Sequence, residues 1–269
     1  MQKAIFNIQN ETDFERCALQ VFKHQFENNK VYRSFCDLLY IHPSDVKDVA
    51  QIPFLPIQFF KTHQVLSTNQ SVQETFTSSG TTGAQVSKHL VADLSWYETS
   101  YTRAFEHFYG SVKDYTVLGL LPNYLEREGS SLIYMVNDFI HKSNNPKSGF
   151  YLDTLSELTK TLIALDQKGE KVLLIGVTFA LLDLIESQTF SLKNTVIMET
   201  GGMKGRRKEM IREELHEILA AGFGVSKIHS EYGMTELLSQ GYSSGDGIFD
   251  CPPWMKILAR DTEDALTLV

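Results

Sequence analysis

A chain of 269 residues, 42% hydrophobic and 22% charged, is long enough to bury a full core as one large domain or two. Its formal net charge of −8 argues against an extended surface for nucleic acid or anionic membrane, and no apolar run reaches the ~20 residues that span a bilayer. Met1-Gln2-Lys3-Ala4-Ile5-Phe6-Asn7 has no signal-peptide core, and Cys17, Cys36 and Cys251 form no metal or redox spacing, so a cytoplasmic, reduced setting is expected.

The N-terminal fifth reads as helical. Phe14, Cys17, Ala18, Val21, Phe22 and Phe26 recur at i, i+3, i+4 spacing, with Thr12 as candidate cap. Val31 to Ile41 reads as a second helix, closed by His42-Pro43. Both serve packing, with Cys17 and Cys36 as inert buried thiols. Residues 1–65 are thus expected to form a helical region packed on an α/β core of residues 66–269. In that core, Glu74–Thr77 and His89–Ala92 are short β-rich stretches around a hydroxyl-rich loop. Beyond them come strand candidates Tyr115–Leu120, Val172–Ile175, Thr195–Met198 and Val225–Ile228. Helical stretches Ser130–His141, Leu155–Gln167, Phe179–Glu186 and Arg206–Ala220 alternate with them. Such alternation implies a mostly parallel sheet flanked by helices, with ligands beyond the carboxyl ends of the strands.

Two segments carry the chemistry. In Thr77-Ser78-Ser79-Gly80-Thr81-Thr82-Gly83, glycines let the backbone approach a ligand, successive N–H groups can form an anion nest, and five hydroxyls add donors. The natural guest is a polyphosphate. Alone, such a run is more often a plain turn. It is not a P-loop, because no Lys-Ser/Thr follows Gly83 and the nearest lysine is Lys88. Far downstream, Tyr232-Gly233-Met234-Thr235-Glu236 offers an aromatic for a base, a hydroxyl for a phosphate and a carboxylate for Mg²⁺, which prefers one or two carboxylates plus phosphate oxygens. A third element, Glu199-Thr200-Gly201-Gly202-Met203-Lys204-Gly205, could lay a flat base against its glycine pair. Arg206, Arg207 and Lys208 would then open a helix, where cations oppose the macrodipole. They either face an anion or form a solvated face balanced by Glu209, Glu213 and Glu214, and the solvated face is preferred. His63 and His89 flank the loop without metal-ligand spacing, His229 could approach the nucleotide or acyl group but a histidine ending a strand is as often structural, Cys251 has no basic neighbour to make it a nucleophile, and Gly241–Gly247 reads as a loop near the site.

In this order and spacing, the first two segments resemble the phosphate-binding loop and the Y-G-x-T-E motif of the adenylate-forming superfamily of acyl-CoA synthetases, luciferases and adenylation domains. Ile52-Pro53-Phe54-Leu55-Pro56-Ile57-Gln58-Phe59-Phe60-Lys61, Ser87-Lys88-His89 and Leu121-Pro122-Asn123-Tyr124-Leu125 narrow the resemblance to the acyl-protein synthetase (LuxE-like) branch, from about residue 50 to the chain's end. The superfamily's usual Pro-Lys after the loop is missing here.

The resemblance implies the large N-terminal domain of the adenylate-forming fold. ATP would rest its phosphates on Ser78, Ser79, Gly80, Thr81, Thr82, Gly83 and Lys88. Adenine would lie at Gly201, Gly202 and Tyr232, with Gly233 and Met234 completing the motif. Thr235 and Glu236 would serve catalysis, and Glu236 would hold Mg²⁺. The expected reaction activates a small-molecule carboxylate, by preference a fatty acid, as acyl-adenylate. The acyl group would then pass to a protein, carrier or coenzyme A thiol, with an acyl reductase as partner. The alternatives are a phenylacetate-type acyl-CoA ligase and a non-catalytic nucleotide- or acyl-binding partner of a reductase. In the superfamily a small C-terminal lid domain follows, and nothing after Trp254 matches its elements. The lid is therefore expected to be missing, and the 269-residue chain alone to be inactive.

Overall fold

Helix initiation at the N-terminus is set by asparagines. In this computed structural model, which describes residues 2–79, 85–122, 129–201, 210–264 and 266–269, a short α1 (Gln2–Ile5) precedes α2 (Glu11–Asn28) and α3 (Lys30–Leu38). Asn10 Oδ1 accepts the amide of Asp13 at 2.9 Å, and Asn29 Oδ1 accepts that of Tyr32 at 3.1 Å. Each side chain satisfies one donor that a helix start leaves unpaired. Thr12, the expected cap, lies inside the first turn of α2. The apolar stripes of α2 and α3 meet in a buried cluster of Phe22, Phe26, Tyr32, Cys36, Val46 and Ile52. Tyr32 donates its hydroxyl to the Pro53 carbonyl at 2.8 Å. Burial pushes the Cys36 thiol above its ordinary range, in keeping with an inert packing role.

The chain continues through α4 (Phe59–Thr62), β1 (Glu74–Thr77), β2 (Lys88–Val91) and α5 (Ser95–Tyr109). Then follow β3 (Thr116–Leu120), α6 (Ser131–Ser143), β4 (Gly149–Phe150), α7 (Leu155–Gln167), β5 (Val172–Val177) and α8 (Thr178–Ser187). The last elements are β6 (Thr195–Thr200), α9 (Arg212–Phe223), β7 (His229–Tyr232) and β8 (Gly241–Ser243). These elements fall into two compact units. The first comprises Met1–Ser100, Met234–Ser239 and Cys251–Val269, the second Tyr101–Gly233 and Gln240–Asp250.

The first unit contains the N-terminal helices and the antiparallel pair β1–β2. The second is an α/β layer structure whose six-stranded sheet runs in the order β4-β3-β5-β6-β7-β8. Every neighbouring pair is parallel except β7–β8. Every residue of β3 and of β5 is buried, as central strands covered on both faces require. Asp166, near the end of α7, accepts the amides of Lys193 (3.0 Å) and Asn194 (2.7 Å) and the hydroxyl of Thr195 (3.0 Å), which fixes the entry of β6. Among the described residues, no helix is long and apolar enough to cross a membrane.

Several expectations are corrected. The strand expected at Val225–Ile228 forms at His229–Tyr232. Its two buried residues, Ser230 and Glu231, which face opposite sides of the sheet, are polar, so an apolar-run criterion missed it. The helix expected from Arg206 begins at Arg212, and Met210 and Ile211 are not helical. Glu213 and Glu214 occupy its first turn, where carboxylates favour the macrodipole and cations would not. Arg206, Arg207 and Lys208 lie outside the described residues. Gly241–Ser243, read as loop, pairs with β7 as β8. Helix α5 was not expected, although Tyr97, Tyr101, Ala104 and Phe105 are buried at helical spacing.

Candidate functional site

In the first unit, the hydroxyl-rich loop sits at the turn of the β1–β2 hairpin, where Thr77 pairs with Lys88. Its base is closed by a reciprocal contact. The Ser78 amide donates to the Ser87 carbonyl at 3.2 Å, and the Ser78 hydroxyl accepts the Ser87 amide at 2.9 Å. Ser79 follows Ser78 at the loop entrance, and Gly80, Thr81, Thr82 and Gly83 lie outside the described residues. The Gln85 side-chain amide donates to the Lys61 carbonyl at 2.6 Å, tethering the strand-side end of the loop to α4. Lys88 is exposed.

The next residue of β2 makes the decisive contact. His89 Nδ1 lies 2.9 Å from the Thr235 carbonyl, which is 146 positions away in sequence. A carbonyl can only accept, so Nδ1 carries the proton. Burial holds the His89 pKa below its usual value, and the Thr235 carbonyl and the Glu236 charge oppose that shift only in part. At neutral pH the ring is uncharged and its Nε2 is a bare acceptor. Phe60 packs edge-on against it with ring centres 5.5 Å apart. One hydrogen bond thus pins the strand leaving the hydroxyl loop to the second motif. Ser78, Ser79, Lys88, Met234, Thr235 and Glu236 all belong to this unit. Within the motif, the Leu237 amide donates to the Met234 carbonyl at 3.1 Å, closing a turn that carries Thr235 and Glu236.

In the second unit, the remaining expected residues stand at the carboxyl ends of β6 and β7. Gly201 follows β6 with φ +71°, a left-handed conformation that glycine adopts without strain. Its carbonyl accepts the Thr178 hydroxyl at 3.1 Å. Gly202 lies outside the described residues. Tyr232 ends β7 as a 40% exposed residue, its ring edge-on to Phe249 at 6.2 Å. A Cβ at Gly233 would lie 2.6 Å from Glu231 Oε1, so a larger residue there would require the Glu231 carboxyl to shift.

Sequence reasoning missed the buried carboxylates beneath these ends. Glu199 on β6 accepts the Ser230 hydroxyl at 2.7 Å, with His216 Nε2 at 3.6 Å and Arg212 at 3.9 Å. Glu231 on β7 accepts the Thr200 hydroxyl at 2.7 Å. Burial raises the Glu231 pKa to about 7. The Thr200 hydrogen bond pulls it down and the charge of Glu199 adds to the rise. A signal was present in Thr200, Ser230 and Glu231, small polar partners flanking an acid at strand ends, but only strand pairing brings them together. His229 contacts the Tyr109 hydroxyl through Nδ1 at 3.2 Å.

The fold and these residues define an α/β protein whose first unit presents a hydroxyl-loop hairpin tied to the Met-Thr-Glu turn. Residues 4–106 match the sequence model of a family, the acyl-protein synthetases, LuxE. The chain is LuxE-like over that segment, which carries α2 to α4, the hairpin and its loop, and most of α5. The match starts further toward the N-terminus than the expected residue 50 and ends at residue 106, so it does not cover the rest of the segment to which the resemblance was expected to extend. Comparison with curated proteins gives no match. Among the described residues, no group of three His, Cys, Asp or Glu could hold a metal by itself.

Proposed function

We propose that the chain is the ATP-binding core of an acyl-adenylate-forming ligase of the acyl-protein synthetase kind. The observation that carries this reading is the His89–Thr235 hydrogen bond, which ties the strand leaving the hydroxyl loop to the Thr-Glu end of the second motif within the first unit. The LuxE match over residues 4–106 supports it from the loop side.

In this reading Ser78 to Gly83 and Lys88 receive the phosphates of ATP, and Gly201, Gly202 and Tyr232 receive adenine. The half-buried carboxylate of Glu236 suits Mg²⁺, which takes its other ligands from phosphate and water. Bound there, the ion would neutralise developing phosphate charge. A substrate carboxylate oxygen bonds to the α-phosphorus as the α–β bridging P–O bond breaks, giving acyl-AMP and pyrophosphate. Positioning and charge neutralisation suffice for such a displacement, and no protein nucleophile is required. A thiol of a protein, carrier or coenzyme A then attacks the acyl carbon and AMP leaves. An acyl reductase is the partner that the LuxE resemblance suggests.

Isothermal titration with ATP and Mg²⁺ tests the nucleotide assignment. Gly83→Val should weaken binding by roughly tenfold or more, because a branched side chain blocks the close approach of backbone to phosphate that glycine allows. Undiminished affinity in the variant would place the nucleotide elsewhere.

A further inference from the structure

The turn after β8, read from sequence as a loop near the site, has no part in the chemistry above. Gly245, Asp246 and Gly247 follow one another at positive φ, +139°, +58° and +67°. The chain then doubles back, and Tyr242 and Asp250 exchange amide–carbonyl bonds of 3.0 and 2.9 Å. This return sets Phe249 beside Tyr232 at the end of β7, with ring centres 6.2 Å apart and planes inclined by 74°. Phe249 also carries a cation. The Arg212 guanidinium carbon lies 4.8 Å from its ring centre, inside the ~6 Å reach of a cation–π contact. Arg212 is the first residue of α9, where a positive charge opposes the helix macrodipole. The ring and the buried carboxylate of Glu199, 3.9 Å from Nη1, offset that opposition. Gly247 lies along the arginine stem, and a Cβ there would stand 3.1 Å from Arg212 Cδ. Glu199 on β6, Arg212 on α9, Phe249 after the turn and Tyr232 on β7 thus form one chain of contacts within the second unit.

We propose that Phe249 and Arg212 are positioning residues for Tyr232, holding its ring as a fixed platform that selects a purine over a pyrimidine or over no base. The inference rests on the nucleotide reading of the site and adds to it the source of base selectivity. Tyr232 is 40% exposed, and an exposed ring at a strand end that nothing held would lose rotamer freedom each time a base stacked on it. A ring already braced by Phe249 loses less. Stacking of one base on an aromatic ring is worth roughly five- to 150-fold in affinity, and the larger face of a purine gains more of it. The phosphates are assigned to other residues, so the effect of the brace falls on the base.

Calorimetric titration of the 269-residue protein with the Mg²⁺ complexes of ATP, CTP and tripolyphosphate tests this. ATP should bind most tightly and tripolyphosphate least. Phe249→Ala, at a half-buried position, should weaken ATP by about tenfold and CTP by less, with tripolyphosphate unchanged. Phe249→Tyr keeps the ring and should restore ATP binding. Arg212→Met keeps a stem against Gly247, removes the guanidinium and should weaken ATP alone by about threefold. It is the companion should Phe249→Ala fail to fold. Equal losses for all three ligands would show a structural role only and overturn the inference. So would an unchanged preference for ATP over tripolyphosphate in both variants, and that result would leave the nucleotide reading standing. A parent protein that binds none of the three would remove the nucleotide reading and the brace with it.

Discussion

Glu231→Gln should stabilise this protein in a pH-dependent way. Glu231 is buried between β6 and the Tyr232-Gly233 turn, and its pKa is raised from an ordinary 4.5 to about 7. A carboxyl whose folded pKa lies above its unfolded value binds its proton more tightly in the native state. Its contribution to stability is therefore fully present below about pH 4.5 and is lost as pH rises through about 7. The shift of about 2.5 units corresponds to about 3 kcal/mol, because one unit is worth 1.36 kcal/mol. Glutamine keeps the shape and an oxygen that accepts the Thr200 hydroxyl, but it cannot ionise. The variant should match the parent protein near pH 4.5 and exceed it by up to about 3 kcal/mol at pH 8. For a protein of this size that is a melting shift of roughly 6–12 °C. Thermal melts of both proteins between pH 4.5 and 8.5 read the difference directly. An equal offset at every pH, or a variant less stable at pH 8, would mean that the Glu231 carboxylate is solvated or paired in the native state, and the reasoning would fail.

Glu236→Gln keeps the side-chain volume and removes the charge assigned to Mg²⁺. It should depress carboxylate-dependent pyrophosphate exchange by at least tenfold with little change in melting temperature. Thr235→Ala should be milder, because it removes one hydroxyl and leaves the carbonyl that His89 holds. Wild-type exchange in Glu236→Gln would remove this residue from the chemistry.

The parts of the fold that were legible are those decided by apolar periodicity. Strands β3, β5 and β6 stand out as apolar runs because they are central and covered on both faces, and α7 runs from Leu155 to Gln167 as its spacing requires. Strand β7 was displaced by four residues because His229-Ser230-Glu231-Tyr232 is polar throughout. Its buried side chains are satisfied by hydroxyl and carboxyl partners on β6 that lie 31 positions away. The site was legible as two motifs, since glycine and hydroxyl patterning is local. The bond between them was not, because the only sequence trace of it is a histidine after a lysine. Asn10 outcompeted Thr12 as cap for a local reason that sequence could have supplied: asparagine is the stronger cap, and Glu11 and Asp13 then fall in the first turn.

His89 offers the sharpest separation between a structural and a functional role. Its ring fills space against Phe60 and its Nδ1–H bonds the Thr235 carbonyl. His89→Phe preserves the ring and removes the donor, so packing is held nearly constant while the tie between loop and motif is lost. A neutral hydrogen bond of this kind contributes about 1 kcal/mol net. The Thr235 carbonyl is in a half-buried residue where water can replace the lost donor, so the fold should lose no more than that. If the bond serves to hold the second motif against the hydroxyl loop, the same amount should appear in ATP affinity, as a weakening of about fivefold. Combining His89→Phe with Thr235→Ala should then cost less than the sum of the two, because both act on the same turn. Additive losses, or an ATP affinity untouched by His89→Phe while Thr235→Ala weakens it, would reduce His89 to a packing residue and leave the two motifs energetically independent.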